Sequence, residues 1–240
     1  MTAIEFRNVS KVFAHGTKAR LMSTHLREWM GRPPREAFYA LKNVSFSAQS
    51  GEGLGVVGHN GAGKSTLLGL ATGICFPDQG EVNMHGSIAA VLELGSGFHP
   101  DLTGAENLFL NASLLGLSRK RTKEMAGHIV EFAGLEDFIH EPLRTYSTGM
   151  LMRLAFAVAV HTDPDILVLD EVIAVGDRPF QAKCIDHLLG LRKAGKTILC
   201  VSHSPDTIEL LCQKAIWLAH GQVVMEGLAR EVLDAYRASL

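Results

Sequence analysis

Apolar and polar residues alternate in two segments near the start of the chain, residues 4–13 and 40–52. A period of two is typical of strands with one buried face, so it predicts a strand in each segment. Segment 165–171 instead contains a continuous apolar run, as expected for a strand in the middle of a parallel sheet. Segments 86–95 and 196–204 are predicted to be further strands.

Helices and turns are predicted between and after these strands. Residues 104–140 are predicted to be mostly helical, and residues 150–161 to form one apolar helix. Residues 215–227 are predicted to form a hairpin that turns at His220 and Gly221. Strands that alternate with helices predict an α/β fold with a mainly parallel core sheet. The two N-terminal strands and the late hairpin predict an antiparallel lobe beside that sheet.

Composition narrows the function classes modestly. The chain of 240 residues suffices for one large domain, and we expect a single domain over residues 1–240. The formal net charge of −2 argues against a general nucleic-acid binder, which carries a strong basic excess. The four cysteines lack metal-ligand spacing and are expected to be buried reduced thiols. No run of about 18 apolar residues occurs, so any link to a membrane is expected to come through a partner.

Residues 15–38 interrupt two predicted strands and fit neither pattern. This segment carries five Lys and Arg residues against two Glu residues, a local charge of +3, with Trp29 and other apolar residues interleaved. Two interpretations are open. The segment could be a solvated loop with one packed tryptophan, or a surface for acidic lipid or an anionic substrate.

The segment GHNGAGKST at 58–66 follows an apolar strand and precedes a helix, as a phosphate-binding P-loop does. Its three glycines let backbone N–H groups curl around phosphate oxygens, and the helix adds its positive dipole end. Lys64 is predicted to reach the β- and γ-phosphates, and Ser65 to ligate Mg²⁺. The candidate ATP-binding residues of the loop are Gly58, His59, Asn60, Gly61, Ala62, Gly63, Lys64, Ser65 and Thr66.

Two carboxylates stand at the end of the buried strand 165–171. Asp170 is suited to hold Mg²⁺, directly or through water. Glu171 is suited to polarise an attacking water as the general base. His203 follows the next apolar strand, from where it could contact the γ-phosphate. We therefore predict Glu171 and His203 as catalytic residues.

Four motifs together, GHNGAGKST, YSTGM, ILVLDE and VSHS, occur in an order and spacing that resembles the nucleotide-binding domain of ABC transporters. The resemblance covers nearly the whole chain. It implies a P-loop NTPase cassette with a parallel core sheet, an antiparallel β lobe and a helical lobe at 104–161 that carries the signature motif. It also implies that ATP and Mg²⁺ are bound between two copies of the chain, head to tail.

The resemblance assigns roles to further residues. Tyr39 is implied to stack on adenine, with Phe38 as the alternative. Asp177 stands at the position of the family's D-loop aspartate and is implied to communicate across the dimer. The signature residues implied to contact the γ-phosphate of the partner copy are Ser147, Thr148, Gly149 and Met150.

The chain departs from the usual ABC pattern in two places. Most cassettes carry a Gln at the switch loop, where it helps to hold Mg²⁺; here Glu93 is the nearest candidate, and Leu94 falls at the same offset if counted from Pro100. The signature has Thr148 where Gly is usual and Met150 where Gln is usual. Ser147 and Gly149, the donors nearest the phosphate, match the usual pattern, so ATP hydrolysis is expected to be retained.

A narrower resemblance is to the ATPase subunits of polysaccharide exporters, which move O-antigen, capsule or teichoic-acid chains, often on lipid carriers. The resemblance rests on YSTGM, DEVIAVGD, LELGSGFHPDLTGAENLFLNA and the 15–38 insertion, and the insertion is implied to form a small helical gate near the membrane. The implied partners are a second copy and an integral-membrane permease, with a lipid-linked polysaccharide as cargo, at the cytoplasmic face of a bacterial inner membrane. An importer ATPase, a soluble ABC ATPase and a non-catalytic ATP-binding scaffold are the alternatives.

Overall fold

A computed structural model of the protein describes residues 1–14, 37–91, 95, 97–170, 176–202 and 204–240. In chain order the strands are β1 (Thr2–Ala14), β2 (Ala37–Gln49), β3 (Gly53–Val57), β4 (Gln79–Met84), β5 (Ile88–Val91), β6 (Ile166–Asp170), β7 (Thr197–Val201), β8 (Lys214–Ala219) and β9 (Gln222–Leu228). The helices are α1 (Lys64–Ala71), α2 (Gly104–Leu114), α3 (Arg119–Ala133), α4 (Thr148–Val160), α5 (Arg178–Lys193), α6 (Pro205–Leu211) and α7 (Ala229–Ala238), with a 3₁₀ turn at Leu143–Thr145.

An antiparallel sheet forms in the order β2-β1-β4. The two alternating N-terminal segments supply its long pair, β1 and β2, and their buried faces meet in a stack of Phe6 on Phe46 with ring centroids 4.5 Å apart. The sequence pattern did not predict β4. None of its residues is buried, and polar and apolar residues alternate only over the four positions from Glu81 to Met84, which is a short signal for a strand.

The core sheet has the order β5-β6-β7-β3-β8-β9. All neighbours pair in parallel except β8 and β9, which are antiparallel. Every residue of β3 and β7 is buried, as expected for strands covered on both faces. This confirms the predicted α/β fold with a parallel core sheet and an antiparallel lobe.

The hairpin predicted at 215–227 forms, and His220 and Gly221 make its turn with φ angles of 48° and 75°. The expectation that it would belong to the antiparallel lobe is wrong. Strand β8 pairs in parallel with β3, and Ile216 and Leu218 are fully buried. Because β8 is apolar enough to need cover on both faces, the hairpin extends the core sheet instead.

Helices α2, α3 and α4 pack on one another beside the core sheet. Every residue from Leu154 to Val160 of α4 is buried, so the second half of this helix is enclosed on all sides, as its uninterrupted apolar sequence demands. Thr103 begins α2 with a capping box that it forms with Glu106. Across the described ranges, no helix is both long and apolar enough to cross a membrane.

Helices α5 and α6 were not predicted from the pattern of apolar residues, although their start signals are present in the sequence. Asp177 caps α5 and Ser204 caps α6, and each helix has a proline in its first turn. The three buried residues of α5, Phe180, Cys184 and Leu188, recur every four residues, so the helical spacing was also present in the sequence. Most of the inserted segment, residues 15–36, lies outside the described residues.

Candidate nucleotide-binding site

The loop between β3 and α1 is packed too tightly against its neighbours to accept side chains at two of its glycines. A Cβ at Gly58 would meet the carbonyl oxygen of Leu218, and one at Gly63 would meet that of Ala40. Gly63 also has a φ of 107°, which disfavours other residues. The close approach of β2 and β8 to this loop therefore explains these glycines in physical terms.

The side chain of Lys64 folds back against the loop that precedes it. Its side chain is buried, and Nζ donates hydrogen bonds to the carbonyl oxygens of Gly58 at 2.7 Å and His59 at 3.0 Å. A buried ammonium group is tolerated when it is hydrogen-bonded in this way. Phosphate oxygens are stronger acceptors for an ammonium than neutral carbonyls, so this group is suited to a polyphosphate.

A cavity of about 610 Å³ opens beside the loop. It lies where β3, β6 and β7 end, which is the usual binding crevice of an open α/β sheet. It combines an ammonium, hydroxyls, a carboxylate and aromatic rings, the set that a nucleotide with its metal requires. The lining residues are Phe13, Phe38, Ala40, Asn60, Gly61, Gly63, Lys64, Ser65, Thr66, Asp170 and Val201.

Of the two candidates for the adenine contact, Phe38 lines this cavity and Tyr39 does not. Successive residues of a strand point to opposite faces, which separates the two rings. The Tyr39 ring lies 5.8 Å from the ammonium of Lys42 instead. Sequence reasoning missed Phe13, which also lines the cavity; the pairing of β1 with β2 places it directly opposite Phe38.

The donors present fit Mg²⁺. Ser65 and Asp170 both line the cavity with side-chain oxygens, and Mg²⁺ is usually held by one or two protein oxygens plus phosphates and water. Within the described part of the chain, no group of three His, Cys, Asp or Glu side chains could hold a metal by itself. Glu93, Leu94, Glu171 and His203 lie outside the described residues.

The signature turn is built as a helix start. Ser147 caps α4, and its hydroxyl accepts a hydrogen bond from the Met150 N–H at 3.2 Å. Tyr146 anchors the turn, because its buried hydroxyl donates to the carbonyl oxygen of Phe138 at 2.7 Å. Ser147 and Thr148 are exposed, and no residue from Ser147 to Met150 lines the cavity beside the P-loop.

Comparison with known proteins agrees with this geometry. The family described as ABC transporter matches residues 41–174. The O-antigen export system ATP-binding protein RfbB of Klebsiella pneumoniae is 42% identical over 99% of this chain and 98% of its own length. The chain belongs to the ABC transporter family. It is therefore a nucleotide-binding ATPase.

Two further ABC proteins show how far the similarity extends. The teichoic acids export ATP-binding protein TagH of Bacillus cereus is 40% identical over 99% of this chain, which spans 43% of TagH. The ABC cassette MJ0796, solved as a dimer in a post-hydrolysis state bound to ADP and Pi, superposes with a TM-score of 0.76 at 25% identity. That alignment covers 95% of this chain and 99% of MJ0796.

In this ABC ATPase the candidate D-loop residue Asp177 is tied to the signature helix. One carboxylate oxygen accepts a hydrogen bond from the Phe180 N–H at 3.1 Å, and the other pairs with Arg153 at 2.9 Å. Arg153 lies on α4, six residues after Ser147, and its guanidinium stands 5.2 Å from the centre of the Phe180 ring. Sequence reasoning missed Arg153, although it is the single charged residue of that apolar helix.

The geometry of the cavity yields a test of the adenine contact. Phe38→Ala should weaken ATP binding by roughly 1–3 kcal/mol, the usual value of one base stacked on an aromatic ring. Tyr39→Ala is the matched control and should bind ATP almost normally. Titration with a fluorescent ATP analogue measures both. A larger loss of ATP affinity in Tyr39→Ala than in Phe38→Ala would assign the adenine contact to Tyr39 instead.

Proposed function

We propose that this protein is the ATP-hydrolysing subunit of an exporter that drives a lipid-linked polysaccharide through a separate integral-membrane permease. The observation that carries the proposal is the 42% identity to an O-antigen export ATP-binding protein across nearly the full length of both chains. The similarity to a teichoic acids exporter points to the same cargo class, a long polymer. The working location is then the cytoplasmic face of a bacterial inner membrane.

The proposed chemistry follows from the cavity. Lys64 and the P-loop N–H groups hold the β- and γ-phosphates, while Phe38 and Phe13 offer their rings to the base. Ser65 and Asp170 hold Mg²⁺, with Glu93 as the switch-loop candidate, and the metal supplies neutralisation of phosphate charge. Glu171 accepts the proton of the attacking water, and His203 contacts the γ-phosphate. The whole range 1–240 acts as one domain in this proposal.

The proposed site needs two copies of the chain. Ser147 and Thr148 are exposed, and the signature turn is absent from the cavity beside its own P-loop. A Cβ added at Gly149 would meet only the hydroxyl oxygen of Ser147, at 3.8 Å, so neither internal packing nor backbone strain requires a glycine there. The open space beside Gly149 is explained if a group from another molecule must approach the turn there. In the proposal this group is the γ-phosphate held by the partner subunit.

Closure of two copies on ATP also gives Asp177 a role. Its ion pair with Arg153 joins the start of α5 to the signature helix within one subunit. Nucleotide held by the partner's P-loop can therefore influence the D-loop region through a short polar link. Hydrolysis is coupled to movement of the two copies. They close on ATP and open after hydrolysis, and this movement drives the permease.

The catalytic assignment is tested by Glu171→Gln. Loss of a general base typically costs roughly 10²–10⁴-fold in rate, whereas ATP binding needs no base. We expect a dimer that is stable in ATP and nearly inactive, seen by size-exclusion chromatography and a phosphate-release assay. Glu136→Gln, at an exposed carboxylate that does not line the cavity, is the control. Normal turnover in Glu171→Gln would remove Glu171 from the proposed role.

The export assignment is tested on the inserted segment. Strands β1 and β2 pair to their ends, with Ala14 opposite Ala37, so an Asn-Gly turn can replace residues 15–36 without disturbing the sheet. ATPase activity of the purified variant should persist. The replaced residues include none of the P-loop, none of the signature turn and none of the candidates Asp170, Glu171 and His203. Polysaccharide display in cells that carry only this variant should fail. Normal display would show that the segment has no part in export.

A further inference from the structure

One side chain of the P-loop contacts the C-terminal helix. His59 is not among the residues that line the nucleotide cavity. Its ring meets the ring of Tyr236 edge-on, with centroids 5.5 Å apart and planes at 62°. Tyr236 is buried on α7, far from the loop in sequence. No chemistry assigned above uses this contact.

Tyr236 continues the contact into the core sheet. Its ring also meets Trp217 of β8 edge-on, at 5.8 Å and 64°. The indole nitrogen of Trp217 is buried and has no hydrogen-bond partner among the described residues. A buried unpaired N–H group is costly, so packing around these rings must outweigh that cost. The three rings form one aromatic column from β8 through α7 to the P-loop.

Backbone groups of the hairpin β8–β9 contact the P-loop on both sides of His59. Gly221 donates its N–H to the carbonyl oxygen of Ala62 at 3.0 Å, and the carbonyl oxygen of Leu218 lies against Gly58. The carbonyl oxygen of His59 accepts a hydrogen bond from Lys64. The position of His59 is therefore coupled directly to that of the phosphate-binding ammonium.

We propose that Tyr236 is a positioning residue for nucleotide binding. Its ring holds His59, and through the His59 backbone it sets the shape of the P-loop that receives the phosphates. The C-terminal helix thereby controls nucleotide affinity without touching the nucleotide. Tyr236 lies outside the range 41–174 that matches the family. The inference rests on nucleotide binding by the P-loop and is independent of the exported substrate.

Steady-state kinetics of the purified full chain test the proposal. Tyr236→Leu should raise KM for ATP about three- to tenfold, the effect of one aromatic pair, and leave kcat at saturating ATP unchanged. Tyr236→Phe keeps the ring and should restore the normal KM. His59→Leu should raise KM for ATP to the same extent as Tyr236→Leu, and KM of the double variant should be no higher than that of either single variant.

Leu233→Ala is the matched control, because this residue of α7 is fully buried and is not part of the aromatic column. It should lower the unfolding temperature with KM unchanged. An equal rise of KM in Leu233→Ala would reduce Tyr236 to a general stabiliser of the helix and overturn the proposal. An unchanged KM in Tyr236→Leu would also overturn it.

Fluorescence gives a readout that stability alone does not move. The chain has two tryptophans, so Trp29→Phe leaves Trp217 as the single reporter. Saturation with ADP should shift the emission of Trp217, and the shift should disappear when Tyr236→Leu or His59→Leu is added. An emission that stays constant while ADP binds, or a shift that survives both substitutions, would contradict the proposed path.

Discussion

The burial of one ammonium group organises this molecule. Lys64 lies inside the ring of its own loop, held by the carbonyl oxygens of Gly58 and His59. A charge can be buried there only if the loop keeps that shape, and the loop keeps it because β2 and β8 press against its glycines. The antiparallel sheet and the core sheet, the latter through its hairpin β8–β9, therefore meet at the P-loop.

One chain places only part of the proposed shared site at the nucleotide cavity. The ammonium, the hydroxyl of Ser65 and the carboxylate of Asp170 converge on one cavity. The capped turn at Ser147 is equally well formed but is not part of that cavity. The buried second half of α4 fixes this turn on the core, so the turn stays apart from the cavity of its own chain. Pairing with a second copy is the simplest way to complete the site.

Local chemistry was predictable from the sequence, and long-range register was not. The P-loop, the strand end at Asp170 and the capping serine at 147 each carry their signal within a few residues. The cavity-facing choice of Phe38 over Tyr39 depends on which face of β2 meets the loop, which is a property of the assembled sheet. The partnership of His59 with Tyr236 spans most of the chain and leaves no local trace.

Mixing two inactive variants shows whether the catalytic site is shared between two copies. Lys64→Ala disables one P-loop, and Gly149→Asp disables one signature turn while leaving the subunit fold intact. A mixed dimer has one site with both halves intact and one with both halves disabled. Equal mixing should therefore restore about a quarter of wild-type ATPase activity, since half of the dimers are mixed. A mixture as inactive as either variant alone would contradict the shared site.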